Sequence, residues 1–138
     1  MIKFLTLFCR DWFDVAKFEY ECDVCETSVK EQSKHCGRCN RCTDVFDHHC
    51  DWLNTCIGSA NYKAFFYLVI VTLAMCFLHL IFDIALLAVS RHEPLYVQIM
   101  LYSAICFNGM AVPFLGHLFY RHIMLQKAGI TTYEFIKQ

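Results

Sequence analysis

Residues 22–56 read CDVCETSVKEQSKHCGRCNRCTDVFDHHCDWLNTC, and ten of them are Cys or His. Cys22–Cys25 and Cys36–Cys39 are Cys-x-x-Cys turns, which give a tetrahedral zinc ion two thiolates from one tight bend. Cys39–Cys42 overlaps the second turn, so Cys42 must serve elsewhere. An interleaved assignment uses every ligand: Cys22, Cys25, His35 and Cys42 on one ion, and Cys36, Cys39, His49 and Cys56 on a second. Spacing alone leaves other partitions open. The assignment also leaves one thiol and one imidazole over, Cys50 and His48, beside Asp47. A thiol is mostly protonated near neutrality, so a nucleophilic Cys needs an adjacent base.

Paired Cys spacing with interleaved His favours metal over disulfides, and metal thiolates persist in a reducing compartment. Ten Cys in all would otherwise suggest a secreted scaffold, but the opening MIKFLTLFC run is broken by Arg10, Asp11 and Asp14 and does not read as a signal peptide. The formal net charge of −1 gives no basic excess, which argues against a nucleic-acid binder.

Outward from the cluster, the chain reads as four parts. Residues 1–21 mix aromatic and charged side chains and suggest an amphipathic or juxtamembrane segment. Residues 22–61 form the cysteine-rich zinc region; they show no long apolar periodicity, so metal must substitute for a core. Residues 62–122 carry two apolar stretches, about 64–90 and 95–120, each long enough for a bilayer's hydrocarbon core. Residues 91–94 (Arg-His-Glu-Pro) read as the turn between them. Residues 123–138 form a C-terminal segment. The fold class is therefore membrane α-helical: a zinc-binding cysteine-rich domain followed by a two-helix transmembrane hairpin. Lys63, Arg121 and Lys127 flank the outer ends of the hairpin, against Arg91 alone in its turn. The positive-inside rule then places the zinc domain and the C-terminus in the cytosol. Within the hairpin, His79 and Asp83 lie four apart on one face and suggest a hydrogen-bonded pair. Cys76 and Cys106 read as small core residues, and Cys9 as an inert thiol.

Cys22-x2-Cys25-x9-His35-Cys36-x2-Cys39-x2-Cys42-x4-Asp47-His48-His49-Cys50-x5-Cys56 resembles the cysteine-rich domain of the DHHC protein S-acyltransferases. Asn61-Tyr62-Lys63-Ala64-Phe65 is similar to the Asn-x3-Phe element that follows it in that family, and Thr131-Thr132-Tyr133-Glu134 to its Thr-Thr-x-Glu motif. The resemblance implies the interleaved pairing on two zinc ions. It also implies transfer of a long-chain acyl group, usually palmitoyl, from acyl-CoA through a Cys50 thioester to Cys on target proteins. His48 would be the base, Asp47 would orient it, and His49, bound to metal, could not serve. The alternative is a catalytically weak zinc-stapled membrane adaptor or truncated family member.

The implied partners are long-chain acyl-CoA, protein substrates with a reactive Cys at the cytosolic face, and membrane lipid, with no nucleic acid. The implied location is an endomembrane (Golgi or endoplasmic reticulum) or the plasma membrane. Family members commonly have four transmembrane helices, of which this chain carries the later pair, so an incomplete or shortened form is expected, the alternative being a bundle completed by another copy or partner chain. Asp51 stands where the family usually has Pro, and a carboxylate there is expected to disfavour the Cys50 thiolate. Thr55 stands where Asn is usual. Trp52 is expected as an apolar anchor. The Thr-Thr-x-Glu motif is expected to cap a helix and to brace the catalytic domain against the membrane helices.

Overall fold

Short hairpins, rather than irregular coil, carry the Cys/His region. A computed structural model describes residues 19–138. In it β1 (Glu19–Cys22) pairs with β2 (Thr27–Lys30), β3 (Lys34–Cys36) with β4 (Arg41–Thr43), and β5 (His48–Cys50) with β6 (Thr55–Ile57), all antiparallel. Strands of three or four residues are too short for an apolar alternation to register in sequence. Residues 19–21, assigned from sequence to the N-terminal segment, belong to β1, because their backbone pairs with β2. The rest of that segment and Cys9 lie outside the described residues.

The hairpins repeat every fourteen residues. Cys22, Cys36 and Cys50 each end a first strand, and Glu26, Asn40 and Asn54 each end the turn in the left-handed region, with φ of 50°, 47° and 48°. Asn tolerates that conformation better than most residues, while Glu26 adopts it at a modest steric cost. Asp44 ties the repeats together. Its carboxylate accepts from Lys30 Nζ at 2.8 Å, Ser33 Oγ at 3.3 Å and Ser59 Oγ at 3.3 Å, and its carbonyl accepts from Ser59 N at 3.0 Å. Burial works to raise the Asp44 carboxyl, but the Lys30 ammonium and the hydroxyls outweigh it and hold it below the usual carboxylate range. Gly58 is required where the chain leaves β6. A Cβ there would stand 2.6 Å from both the Asp44 carbonyl oxygen and Thr43 Cγ2.

Two compact units divide the chain: residues up to Lys63 together with Leu125–Gln138, and Ala64–Met124. Two helices run through the second unit, α1 (Tyr62–Val89) and α2 (Leu95–Ala128), both long and apolar enough to cross a membrane. The turn between them falls where expected. Glu93 N donates to Ser90 O at 3.2 Å, and Gln98 Nε2 donates to the Glu93 carbonyl at 3.1 Å, which accounts for a polar residue in the apolar run. Phe66 stacks on Phe119 between the helices, with ring centroids 5.6 Å apart.

Three expectations for this region change. The partner of Asp83 is Asn108, which is buried and donates from α2 to Asp83 Oδ2 at 3.3 Å; His79 stays exposed on α1. Burying an amide between helices is tolerable only with such a partner, and the facing helix provides it. Cys106 is exposed rather than core, since a two-helix hairpin has a single contact face. The second helix also runs on to Ala128, well past Tyr120, because polarity ends an apolar stretch without ending the hydrogen-bond ladder. The stop is a Schellman motif. Gly129 has φ +70°, its N–H bonds to Gln126 O at 3.2 Å, and Ile130 N bonds to Leu125 O at 3.2 Å. A short helix, α3 (Thr132–Lys137), follows.

Candidate functional site

Strand alternation sorts the ligands. Neighbouring residues of a strand point to opposite faces, and directly paired residues on two strands share one. His35 pairs with Cys42 across β3 and β4, so both face one way, while Cys36, next to His35, faces the other. His49 pairs with Cys56 across β5 and β6, so His48 and Cys50 lie on the opposite face of β5 from His49.

Two groups of four donors result. Cys22, Cys25, His35 and Cys42 have their ligand atoms within 4.8 Å of one another, as do Cys36, Cys39, His49 and Cys56. These are the eight residues and the interleaved partition expected from the sequence. In the first group Cys25 Sγ is 3.2 Å from His35 Nδ1 and 3.6 Å from Cys42 Sγ, and Cys42 Sγ is 3.9 Å from His35 Nδ1. In the second, His49 Nδ1 lies 3.6 Å from Cys36 Sγ, 3.4 Å from Cys39 Sγ and 3.7 Å from Cys56 Sγ, with Cys39 and Cys56 sulfurs 3.3 Å apart. A tetrahedral zinc ion with Zn–S of about 2.3 Å and Zn–N of about 2.0–2.1 Å has donor–donor edges of about 3.5–3.8 Å. The observed separations bracket those edges, so both groups fit a tetrahedral thiophilic ion.

Electrostatics point the same way. Without a cation, the thiols of one group cannot all ionise. The backbone N–H of Cys25, then the Cys42 side chain, lower the Cys22 thiol. Burial acts to raise Cys36, but bonds from the Cys39 and Arg38 backbone outweigh it and lower the thiol. Burial, then hydrogen bonds with Cys22 and Cys25, push Cys42 up to about 12. Burial, then Cys36 and Cys39, push Cys56 up to about 12 in the same way. A divalent ion bound at each group would let these sulfurs hold negative charge together.

Among the described residues, Cys50 belongs to neither donor group. The repeat explains why. Cys22 and Cys36 each have a partner three residues on, Cys25 and Cys39, whereas the third turn places Leu53 at that position. Cys50 is the first thiol of a turn that lacks its second, and it is 8% exposed.

Next to it, Asp47 is fixed from several directions. Its Oδ2 accepts from His48 Nδ1 at 2.7 Å and from Thr132 Oγ1 at 2.8 Å, and its Oδ1 accepts from Thr132 N at 2.9 Å. Asp47 is 2% exposed, and burial works to raise its carboxyl; the His48 and Thr132 bonds outweigh that and hold it below the usual range. The sign for stability follows. A depressed carboxyl stabilises the fold above about 3.9, the unfolded Asp value, and this contribution is lost as pH falls through the lower folded value. With Nδ1–H given to Asp47, the lone pair of His48 is on Nε2, and residues 48 and 50 lie on the same face of β5.

The Thr131–Glu134 motif does two jobs. Thr131 and Glu134 form a reciprocal capping box at the start of α3, Glu134 N to Thr131 Oγ1 at 3.1 Å and Thr131 N to Glu134 Oε2 at 2.7 Å. That box aims Thr132 at Asp47, eighty-five residues earlier in the chain. The cap was expected; the direct grip on Asp47 was not, since no sequence spacing encodes it. Asn61 braces the other end. It donates from Nδ2 to Cys56 O at 2.9 Å and accepts from Gly58 N at 3.0 Å, locking the turn after the last ligand.

Asp51 does not stand alone beside Cys50. Arg38 bonds its Oδ1, and His49 Nε2 lies 3.7 Å from the same oxygen. Thr55, the other unusual residue, accepts from Arg41 Nη2 at 3.2 Å. Both arginines come from the Cys36–Cys42 segment, and sequence reasoning overlooked them; the fourteen-residue offset of Arg41 from Thr55 was the available signal. Trp52 is 88% exposed.

The family described as DHHC palmitoyltransferase matches residues 16–138. The probable protein S-acyltransferase 20 of Arabidopsis thaliana is 34% identical over an alignment covering 83% of this chain and 19% of that protein. Palmitoyltransferase ERF2 of Kluyveromyces lactis is 32% identical, over 84% of this chain and 32% of that protein. Palmitoyltransferase SWF1 of Saccharomyces cerevisiae is 34% identical, over 83% of this chain and 33% of that protein. The chain thus spans a third or less of the length of these relatives.

Proposed function

The chain belongs to the DHHC palmitoyltransferase family, which matches nearly all of it, and from that premise we propose a membrane-borne protein S-acyltransferase that works through Cys50. It takes a long-chain acyl group, usually palmitoyl, from acyl-CoA and passes it to Cys on target proteins at the cytosolic face. The observation that carries the reading is Cys50 standing outside both donor groups, on the β5 face of a His48 that is bonded to Asp47.

His48 Nε2 takes the Cys50 proton, and the thiolate attacks the thioester carbonyl of acyl-CoA. The new C–S bond to Cys50 forms as the bond to CoA sulfur breaks, and the CoA thiolate leaves with the proton from His48. In the second step the acceptor thiol loses its proton to His48 and its thiolate attacks the acyl carbonyl; the bond to Cys50 sulfur breaks, and the Cys50 thiolate takes the proton back from His48. Each step exchanges one thioester for another. Asp47 holds the imidazole tautomer and stabilises the transient imidazolium. Cys22, Cys25, His35 and Cys42, and Cys36, Cys39, His49 and Cys56, would each hold a zinc ion, which would stiffen the hairpins and fix the strand that presents Cys50 and His48.

Purified protein given a clickable long-chain acyl-CoA is expected to take up label that hydroxylamine releases. Zinc retained with no label would favour a zinc-stapled membrane adaptor instead. Thr132→Val tests the positioning of Asp47. It removes the hydroxyl donor and keeps the backbone one, and a bond to a charged group contributes about 1.5–3 kcal/mol. Self-acylation is expected to slow by about tenfold or more, with metal content unchanged. An unaltered rate would remove Thr132 from the mechanism.

A further inference from the structure

His49 meets the sulfurs of its donor group through Nδ1. An imidazole that gives its Nδ1 lone pair to an ion carries its proton on Nε2, and that N–H can only donate. An Asp51 carboxylate oxygen stands 3.7 Å from Nε2, a few tenths of an ångström beyond a direct hydrogen bond. Arg38, inside the Cys36–Cys39 turn, bonds the same Oδ1. His49 is the middle residue of β5, and Asp51 is the first residue of the turn that follows it. The carboxylate is thus pinned from the metal-binding turn on one flank and faces the outer nitrogen of a ligand on the other.

We propose that Asp51 is a positioning residue for His49, completing a carboxylate–imidazole–metal line in which Arg38 steadies the carboxylate. This rests on the metal reading of Cys36, Cys39, His49 and Cys56. Metal-bound histidines commonly give their second N–H to such a partner, which fixes the tautomer and strengthens the ligand. Asp51 follows Cys50 directly, so the residue that steadies the ligand also borders the nucleophile. The alternative role, a plain strap between Arg38 and the β5–β6 turn, is weak for an exposed pair, with side chains 67% and 69% exposed.

The test uses the full chain in detergent, loaded with zinc, with release to a chromogenic chelator followed in time. In Asp51→Ala one ion is expected to be bound about tenfold more weakly, the lower end of the usual range for such a partner, while the other ion is unaffected. Asp51→Asn keeps an oxygen acceptor and is expected to recover most of the loss. Arg38→Gln is expected to cost less than Asp51→Ala. With cobalt in place of zinc, the ligand-field bands of one site are expected to shift in Asp51→Ala and return in Asp51→Asn. Unchanged release and spectrum in Asp51→Ala would overturn the proposal. So would an Arg38→Gln loss equal to that of Asp51→Ala with no recovery by Asn, which is the signature of a strap. A parent protein that binds no zinc would instead sink the metal reading beneath it, a separate result read before any variant is made.

Discussion

Cys50→Ser protein is expected to take up no hydroxylamine-sensitive acyl label from acyl-CoA while holding its metal in full. Both halves follow from the register of β5. His49 is paired with Cys56 and faces the second donor group, so its neighbours His48 and Cys50 face away, and changing Cys50 removes no member of either donor group. Serine keeps the size and the strand geometry but replaces the thiol by a hydroxyl, which is far harder to deprotonate and far weaker as a nucleophile near neutrality. His48→Ala should retain metal too and slow self-acylation by about 10²–10⁴-fold, the usual range for a lost general base. The readouts are in-gel label intensity and zinc stoichiometry on the same sample. Label persisting in Cys50→Ser and lost in Cys76→Ser would move the chemistry into α1 and end the Cys50 mechanism. Zinc lost with the label in Cys50→Ser would make that sulfur a ligand.

Legibility of the chain differed by the range of the interactions concerned. The ligand types and Cys-x-x-Cys turns were legible as a metal-binding region, while the interleaved pairing came from the family resemblance, since spacing left other partitions open; the two apolar helices were legible because length and composition suffice. The hairpins were not, because strands such as β3 (Lys34–Cys36) carry ligands where a longer strand would carry an apolar face. Their fourteen-residue repeat was present in the sequence, and it turns the spare thiol from a leftover into the consequence of Leu53 at a cysteine position. Contacts across long stretches were invisible. Thr132 on Asp47 and Asn108 on Asp83 depend on elements meeting in space, and Asp83 was wrongly assigned to His79 because only the local helical neighbour could be seen. Asp51 was read as an unopposed charge beside the nucleophile for the same reason. Arg38, thirteen residues away, meets it only once β3–β4 and β5–β6 are folded.

Cys36→Ser is expected to have the opposite character from His48→Ala: loss of zinc, loss of protease resistance in the Cys/His region, and loss of label as a consequence. The magnitudes decide this. Cysteines apart, the buried apolar side chains among residues 19–61 are Val45 and Ile57, and burying an aliphatic side chain contributes about 1.5–3 kcal/mol each. A structural zinc ion contributes about 10–16 kcal/mol, so ions bound at the two donor groups would dominate what holds the hairpins. The hydrogen bonds of Asp44 and Asn61 fix orientation but cannot replace it, at about 0.5–1.5 kcal/mol for each neutral bond. Cys36 is also the ligand on the opposite face of β3 from His35, so its loss removes one donor group and frees a strand shared with the other. Cys22→Ser should act similarly from the first group. Metal analysis of the three variants side by side is the measurement. Equal zinc loss in Cys36→Ser and His48→Ala would erase the division between residues that hold the ions and residues that perform the chemistry.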